Sequence, residues 1–68
     1  MLDLIVNGEA VQVPESVATV SRLLEHFGLD RQVVVVEINQ AVLGKTEHAD
    51  TAVRNGDRIE LVHFVGGG

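Results

Sequence analysis

A length of 68 residues, 46% of them hydrophobic, makes one small domain. The absence of cysteine rules out disulfide staples, thiolate zinc sites and iron–sulfur clusters. Ten acidic against five basic side chains give a net charge of −5, which argues against the phosphates of nucleic acid and against anionic membrane surfaces.

A chain this short buries only about 60% of its unfolded surface, so its core must come from aliphatic packing. Met1 to Val6 alternates as a strand, with Leu2, Leu4 and Val6 set against Asp3 and Ile5. Asn7-Gly8 is a type I′ hairpin signal, because both residues tolerate positive φ. The return strand is Glu9 to Val13, with Val11 and Val13 on one face, and Pro14 ends it for want of an N–H donor. The period then changes. Val20, Leu23, Leu24 and Phe27 fall on one stripe of an amphipathic helix, with Thr19 as N-cap and Gly28 as the residue past its end. Arg22 and Glu25 lie on the outward, solvated face.

Val33-Val34-Val35-Val36, extended by Glu37 and Ile38, is a β-branched run that predicts a strand buried on both sides. Asn39-Gln40 marks a turn and Ala41 to Leu43 a short strand, with Lys45 to Val53 expected as an irregular surface connection. Asn55-Gly56-Asp57 is a tight turn that launches a final strand, Arg58 to Val65. The apolar character of this last strand places it centrally, beside the first. One helix can cover only one face of such a sheet. The expected fold is therefore α+β: a β-grasp, or ubiquitin-like, roll with a mixed four- to five-stranded sheet. Residues 1–65 form the domain, and Gly66-Gly67-Gly68 is expected as a flexible C-terminal tail.

Side-chain chemistry is sparse. His26, His48 and His63 share no metal-ligand spacing. His26 suits the negative end of the helix dipole, His63 a partly exposed strand position, and His48 a loop. Asp50 and Asp57 are loop carboxylates, and no serine has a recognisable base nearby. Gly44-Lys45-Thr46 lacks the earlier glycine of a P-loop, and no helix follows the terminal glycines to cradle a phosphate. These readings predict no catalytic residue, no metal site and no bound cofactor.

The backbone terminus remains. Three extended glycines reach about 10 Å, enough to carry a carboxylate into a narrow channel. A carboxylate is a poor electrophile until adenylation by ATP supplies a leaving group. A side chain at Gly67 or Gly68 would obstruct a tight tunnel, whereas glycine lets the backbone approach closely. Gly68 is thus the expected site of activation, with Gly66 and Gly67 as its slender stem. A docking surface is expected on the sheet face leading into the tail, with Val62, Phe64 and Val65 as candidates.

With fold and tail together, the chain resembles the thiamine-biosynthesis sulfur-carrier family (ThiS) within the ubiquitin-like proteins. The matching residues are Val6-Asn7-Gly8-Glu9, Thr19-Val20 with Leu23-Leu24, Val36-Glu37-Ile38-Asn39, then Asn55-Gly56-Asp57-Arg58-Ile59-Glu60-Leu61-Val62 and Val65-Gly66-Gly67-Gly68. That family commonly carries a Pro-Arg pair where Gly44-Lys45 stands here, so no partner contact is carried over to this loop.

The resemblance implies a protein co-substrate, not an enzyme. An E1-like adenylyltransferase (ThiF-like) would consume ATP and Mg to adenylate Gly68. Sulfur from a cysteine desulfurase-linked source would convert it to a thiocarboxylate, and thiazole synthase (ThiG-like) would accept the sulfur. The alternatives are the small sulfur-carrier subunit of molybdopterin synthase, whose end usually has a proline-rich approach, and a carrier for another thiolation pathway. Outside that chemistry stand a protein modifier and a simple ubiquitin-like interaction module. No apolar run reaches the roughly 20 residues that cross a bilayer, and no secretory signal pattern opens the chain. A soluble, cytoplasmic protein is expected, monomeric when free, with neither nucleic-acid nor membrane partners.

Overall fold

The structure, a computed structural model, describes residues 1–63. Its elements are β1 (Leu2–Val6), β2 (Glu9–Val13), α1 (Val20–His26), β3 (Val34–Ile38), β4 (Ala41–Leu43) and β5 (Arg58–His63), with a 3-10 turn at Lys45–Glu47. The sheet order is β2-β1-β5-β3-β4. β5 lies centrally, parallel to β1 and antiparallel to β3, as its apolar sequence predicts.

Asparagine does two jobs at the hairpins. Asn7 (φ 50°) and Gly8 (φ 81°) make the first turn, and Asn39 (φ 49°) and Gln40 (φ 73°) the second, all in the left-handed region that type I′ turns require. Each asparagine then reaches across to β5. The Asn7 Oδ1 accepts from Leu61 N–H at 2.8 Å, and its Nδ2 donates to Leu61 O at 3.2 Å. This side-chain amide prolongs the β1–β5 ladder after the backbone has turned away. On the other side Asn39 Oδ1 accepts from Arg58 N–H at 3.0 Å, and its Nδ2 donates to Asp57 Oδ1 at 3.0 Å. Asp57 Oδ2 also accepts from Arg54 N–H at 2.8 Å, so its carboxylate serves the turn, as its position predicts.

The helix is bounded by local chemistry. Thr19 Oγ1 accepts from Arg22 N–H at 3.2 Å, satisfying one of the free first-turn amides. At the other end Gly28 (φ 72°) donates to Glu25 O at 3.0 Å, and Leu29 N–H to Leu24 O at 2.7 Å. This bond pair is the Schellman arrangement, and Leu29 packs against the core as it closes. Arg22 and Glu25, both exposed, form an ion pair at 3.6 Å, of small energetic worth at such a surface.

The core lies between α1 and one face of the sheet. Leu4, Val13, Val20, Leu23, Val36 and Ile59 are its most deeply buried members, each worth about 1.5–3 kcal/mol of apolar burial. Three expectations are corrected. Phe27 is 37% exposed and sets its ring edge-on to His26 at 5.4 Å. The helix ends at His26, and the C-cap backbone of Phe27 (φ −91°, ψ 2°) takes its side chain off the stripe. The valine run is buried on one side only: Val36 is fully buried, whereas Val33 is 72% and Val35 43% exposed. A single helix leaves the second face bare. The segment from Lys45 to Val53 is also more than a surface connection, because His48 and Val53 are buried. It is tied to the entry of α1 by bonds from Val20 N–H to Thr51 O, Ser21 N–H to His48 O and Val53 N–H to Ala18 O, each at 3.0 Å.

Candidate functional site

The bare face of the sheet is the most distinctive surface. Cross-strand register places Val35 directly opposite Val62 and Glu37 opposite Glu60, with Val42 beside Glu37 on the outer strand. All five side chains project from the face that α1 does not cover, because side chains alternate along a strand. Val62 is 52% exposed. A valine cluster therefore adjoins two carboxylates set directly opposite each other, a pairing that is mildly unfavourable in an isolated sheet. Neither carboxylate has an ion-pair partner among the described residues. This combination of apolar surface and repelling negative charge suits a partner that brings aliphatic side chains and a cation.

Val62, the docking candidate that falls within the described residues, is thus on the uncovered face. Phe64, Val65, Gly66, Gly67 and Gly68 lie outside the described residues. His63 is exposed on the helix-covered side, where it joins Phe27, Leu29 and Leu61 around a groove of about 320 Å³. His26 is exposed at the helix end. Among the described residues no cluster of three or more His, Asp or Glu side chains could hold a metal, and no helix is long and apolar enough to cross a membrane.

Two features escaped the sequence reading. The Glu37–Glu60 pair needs strand register, which spacing along the chain does not supply. His48 is nine-tenths buried, and its Nε2 has no hydrogen-bond partner among the described residues. Its only sequence signal is the nearby apolar Val53, which is too weak to predict burial.

A single helix on one face of a mixed sheet, with its first and last strands parallel and central, defines the ubiquitin-like β-grasp class. Within that class the model of the ThiS family matches residues 4–68, and the chain belongs to that family. It is 37% identical over 62 residues to the sulfur carrier protein ThiS of Bacillus subtilis, covering 91% of this chain and 94% of that one. The crystal structure of the thiamine biosynthesis protein ThiS from Geobacter metallireducens superposes with a TM-score of 0.81 at 33% identity, over 98% of this chain and 100% of that chain. A thiazole synthase of Paramagnetospirillum magneticum is 40% identical over 67 residues, which is 98% of this chain. The present chain spans only 20% of that longer protein. The family is one of sulfur carriers in thiamine biosynthesis, proteins that are acted upon and are not themselves catalysts.

Proposed function

We propose that this chain carries sulfur as a C-terminal thiocarboxylate on Gly68 and delivers it for thiazole formation. The observation that carries the reading is the extent of the family match, which runs through the terminal glycines to residue 68. In the first step the Gly68 carboxylate attacks the α-phosphorus of ATP, magnesium-bound on an E1-like adenylyltransferase, and pyrophosphate leaves. A sulfur nucleophile from a cysteine desulfurase-linked donor then attacks the acyl carbon and AMP departs. A thiol then cleaves the acyl disulfide formed with that donor's persulfide sulfur, leaving –COSH in place of –COOH while the donor and the thiol depart joined as a disulfide. Thiazole synthase accepts the sulfur into its substrate, and an oxygen from that substrate or from water takes its place on the acyl carbon, restoring the carboxylate.

The chain's own residues support this cycle in three ways. Gly66, Gly67 and Gly68 carry no side chains to obstruct a channel. The uncovered face offers Val35 and Val62 for apolar contact, with Glu37 and Glu60 to meet a basic partner; Phe64 and Val65 extend this docking set along the sequence. The lack of cysteine also fits, since no internal thiol can intercept the activated acyl group.

Intact-mass measurement after incubation with the activating enzyme, ATP, magnesium and a sulfur donor is the test. A gain equal to the exchange of one oxygen for one sulfur, localised to Gly68 by fragmentation, is the expected result. A stable lysine conjugate with no thiocarboxylate would instead make the chain a modifier. Unchanged mass with an otherwise competent activating enzyme would overturn the proposal.

A further inference from the structure

The short outer strand leaves one edge of the sheet unclosed. β4 pairs with β3 only between Val36↔Leu43 and Ile38↔Ala41, whereas β5 lines the opposite edge of β3 from Ile38 as far as Val34. At Gly44 the chain turns inward: its N–H donates to Glu47 Oε1 at 2.8 Å, and its carbonyl accepts from Glu47 N–H at 2.9 Å. Backbone groups along a strand point alternately to its two neighbours. Asn39 N–H donates to Arg58 O, towards β5, so Glu37 and Val35 face β5 in the same way. Ile38, Val36 and Val34 then present their N–H and C=O to the other side. Ile38 and Val36 meet β4 there. Val34 meets no strand, and its two backbone groups have no partner among the described residues.

Beside this open edge is a cavity of about 340 Å³. Leu24 of α1, Val34, Leu43 and the buried His48 contribute to its lining. Val33, Val35 and Val42 continue the same lining towards the uncovered face of the sheet. An open backbone donor and acceptor therefore sit between a cavity on one side of the strand and bare valines on the other.

We propose that this gap is a strand-addition site for a short, extended, apolar segment of a protein partner. The segment continues the line of β4 and exchanges two backbone hydrogen bonds with Val34. Alternation then fixes its side chains. The residue opposite Val34 projects to the helix-covered side, into the cavity, and its two neighbours fall over Val33 and Val35. Asp30 and Lys45 also line the cavity, so its own charges balance, and the chain's net charge of −5 favours basic over acidic flanks through its long-range field. The inference deepens the reading of this chain as a protein that docks on others, but its test uses neither the activating enzyme nor the sulfur acceptor, so the two can fail separately.

The probe is the blocked pentapeptide acetyl-Lys-Val-Leu-Val-Lys-amide, titrated to millimolar concentration into the full-length ¹⁵N-labelled chain. Saturable amide shifts are expected at residues 32–36 and 42–48, with the Val34 amide moving downfield and gaining protection from hydrogen exchange. The same peptide N-methylated at its central leucine loses one backbone bond and obstructs the edge, and should bind about tenfold more weakly or worse. Absence of saturable shifts, equal binding of the N-methylated peptide, or shifts confined to the uncovered face would each overturn the proposal.

Discussion

Replacing Asn7 separates two contributions that one residue combines. Its side-chain amide makes both hydrogen bonds to the Leu61 backbone, at 2.8 and 3.2 Å, and its backbone sits at φ 50°. In Asn7→Gly the left-handed conformation is retained without a Cβ, but the partly buried Leu61 N–H and C=O lose their partners. The cost of those two groups is about 2 kcal/mol, since water replaces the amide at one or both. Asn7→Ala loses the same bonds and adds about 1 kcal/mol for holding an L side chain in that region. A domain of this length has roughly 3–10 kcal/mol of stability in total, so the alanine variant should sit near the edge of folding. Urea denaturation at constant m-value is the assay, with exchange of the Leu61 amide as a local readout. The expected order is wild type, then Gly, then Ala. Equal stability of the two variants would refute the conformational argument, and losses below about 0.5 kcal/mol in both would refute the bonding argument.

Four further outcomes are expected. His48→Leu should raise stability by about 1 kcal/mol, because it removes a buried nitrogen with no partner among the described residues while filling a similar volume; a loss in urea titration would mean that the nitrogen is satisfied. Glu60→Lys replaces the like-charge pair with Glu37 by an opposite one, adding about 0.5 kcal/mol of stability while weakening activating-enzyme binding by isothermal titration. Both quantities moving together would count against the docking face. Val62→Ser should leave thermal stability within about 0.5 kcal/mol of wild type, as at other exposed positions, and raise the KM of adenylation. A single residue added after Gly68 should abolish adenylation in a pyrophosphate-release assay without altering the circular dichroism spectrum, and normal turnover would remove the terminal carboxylate from the proposed chemistry.

The parts of this fold readable in the sequence are those settled within a few residues. Asn7-Gly8 reports its own φ preference, and Thr19 and Gly28 act on the helical turn next to them, so the hairpin and both helix ends follow directly from local chemistry. The central place of β5 was also legible, because a strand so rich in aliphatics needs neighbours on both edges. Burial was less so. Val33 and Val35 have the same β-branched chemistry as Val36, and only the position of the lone helix decides which side is covered. Phe27 keeps helical spacing with Leu23 and Leu24, yet the Schellman closure at Gly28 ends the stripe before it. His48 becomes buried through contacts between the segment after β4 and the entry of α1, a long-range event with no local signature. At the candidate site, the apolar character of Val62 was visible but its outward direction was not, and the Glu37–Glu60 pair exists only once register is fixed.

The position of β5 bears on how the chain is made. It is the last strand of the described residues, yet β1 and β3 both hang on it. Without residues 58–63 the two outer pairs, β1 with β2 and β3 with β4, can form as hairpins, but nothing joins them. A prematurely terminated product therefore lacks the middle of its sheet and exposes two unpaired edges, the condition that cellular quality control removes. A complete sheet therefore requires residues 58–63, which lie within a few codons of the glycines.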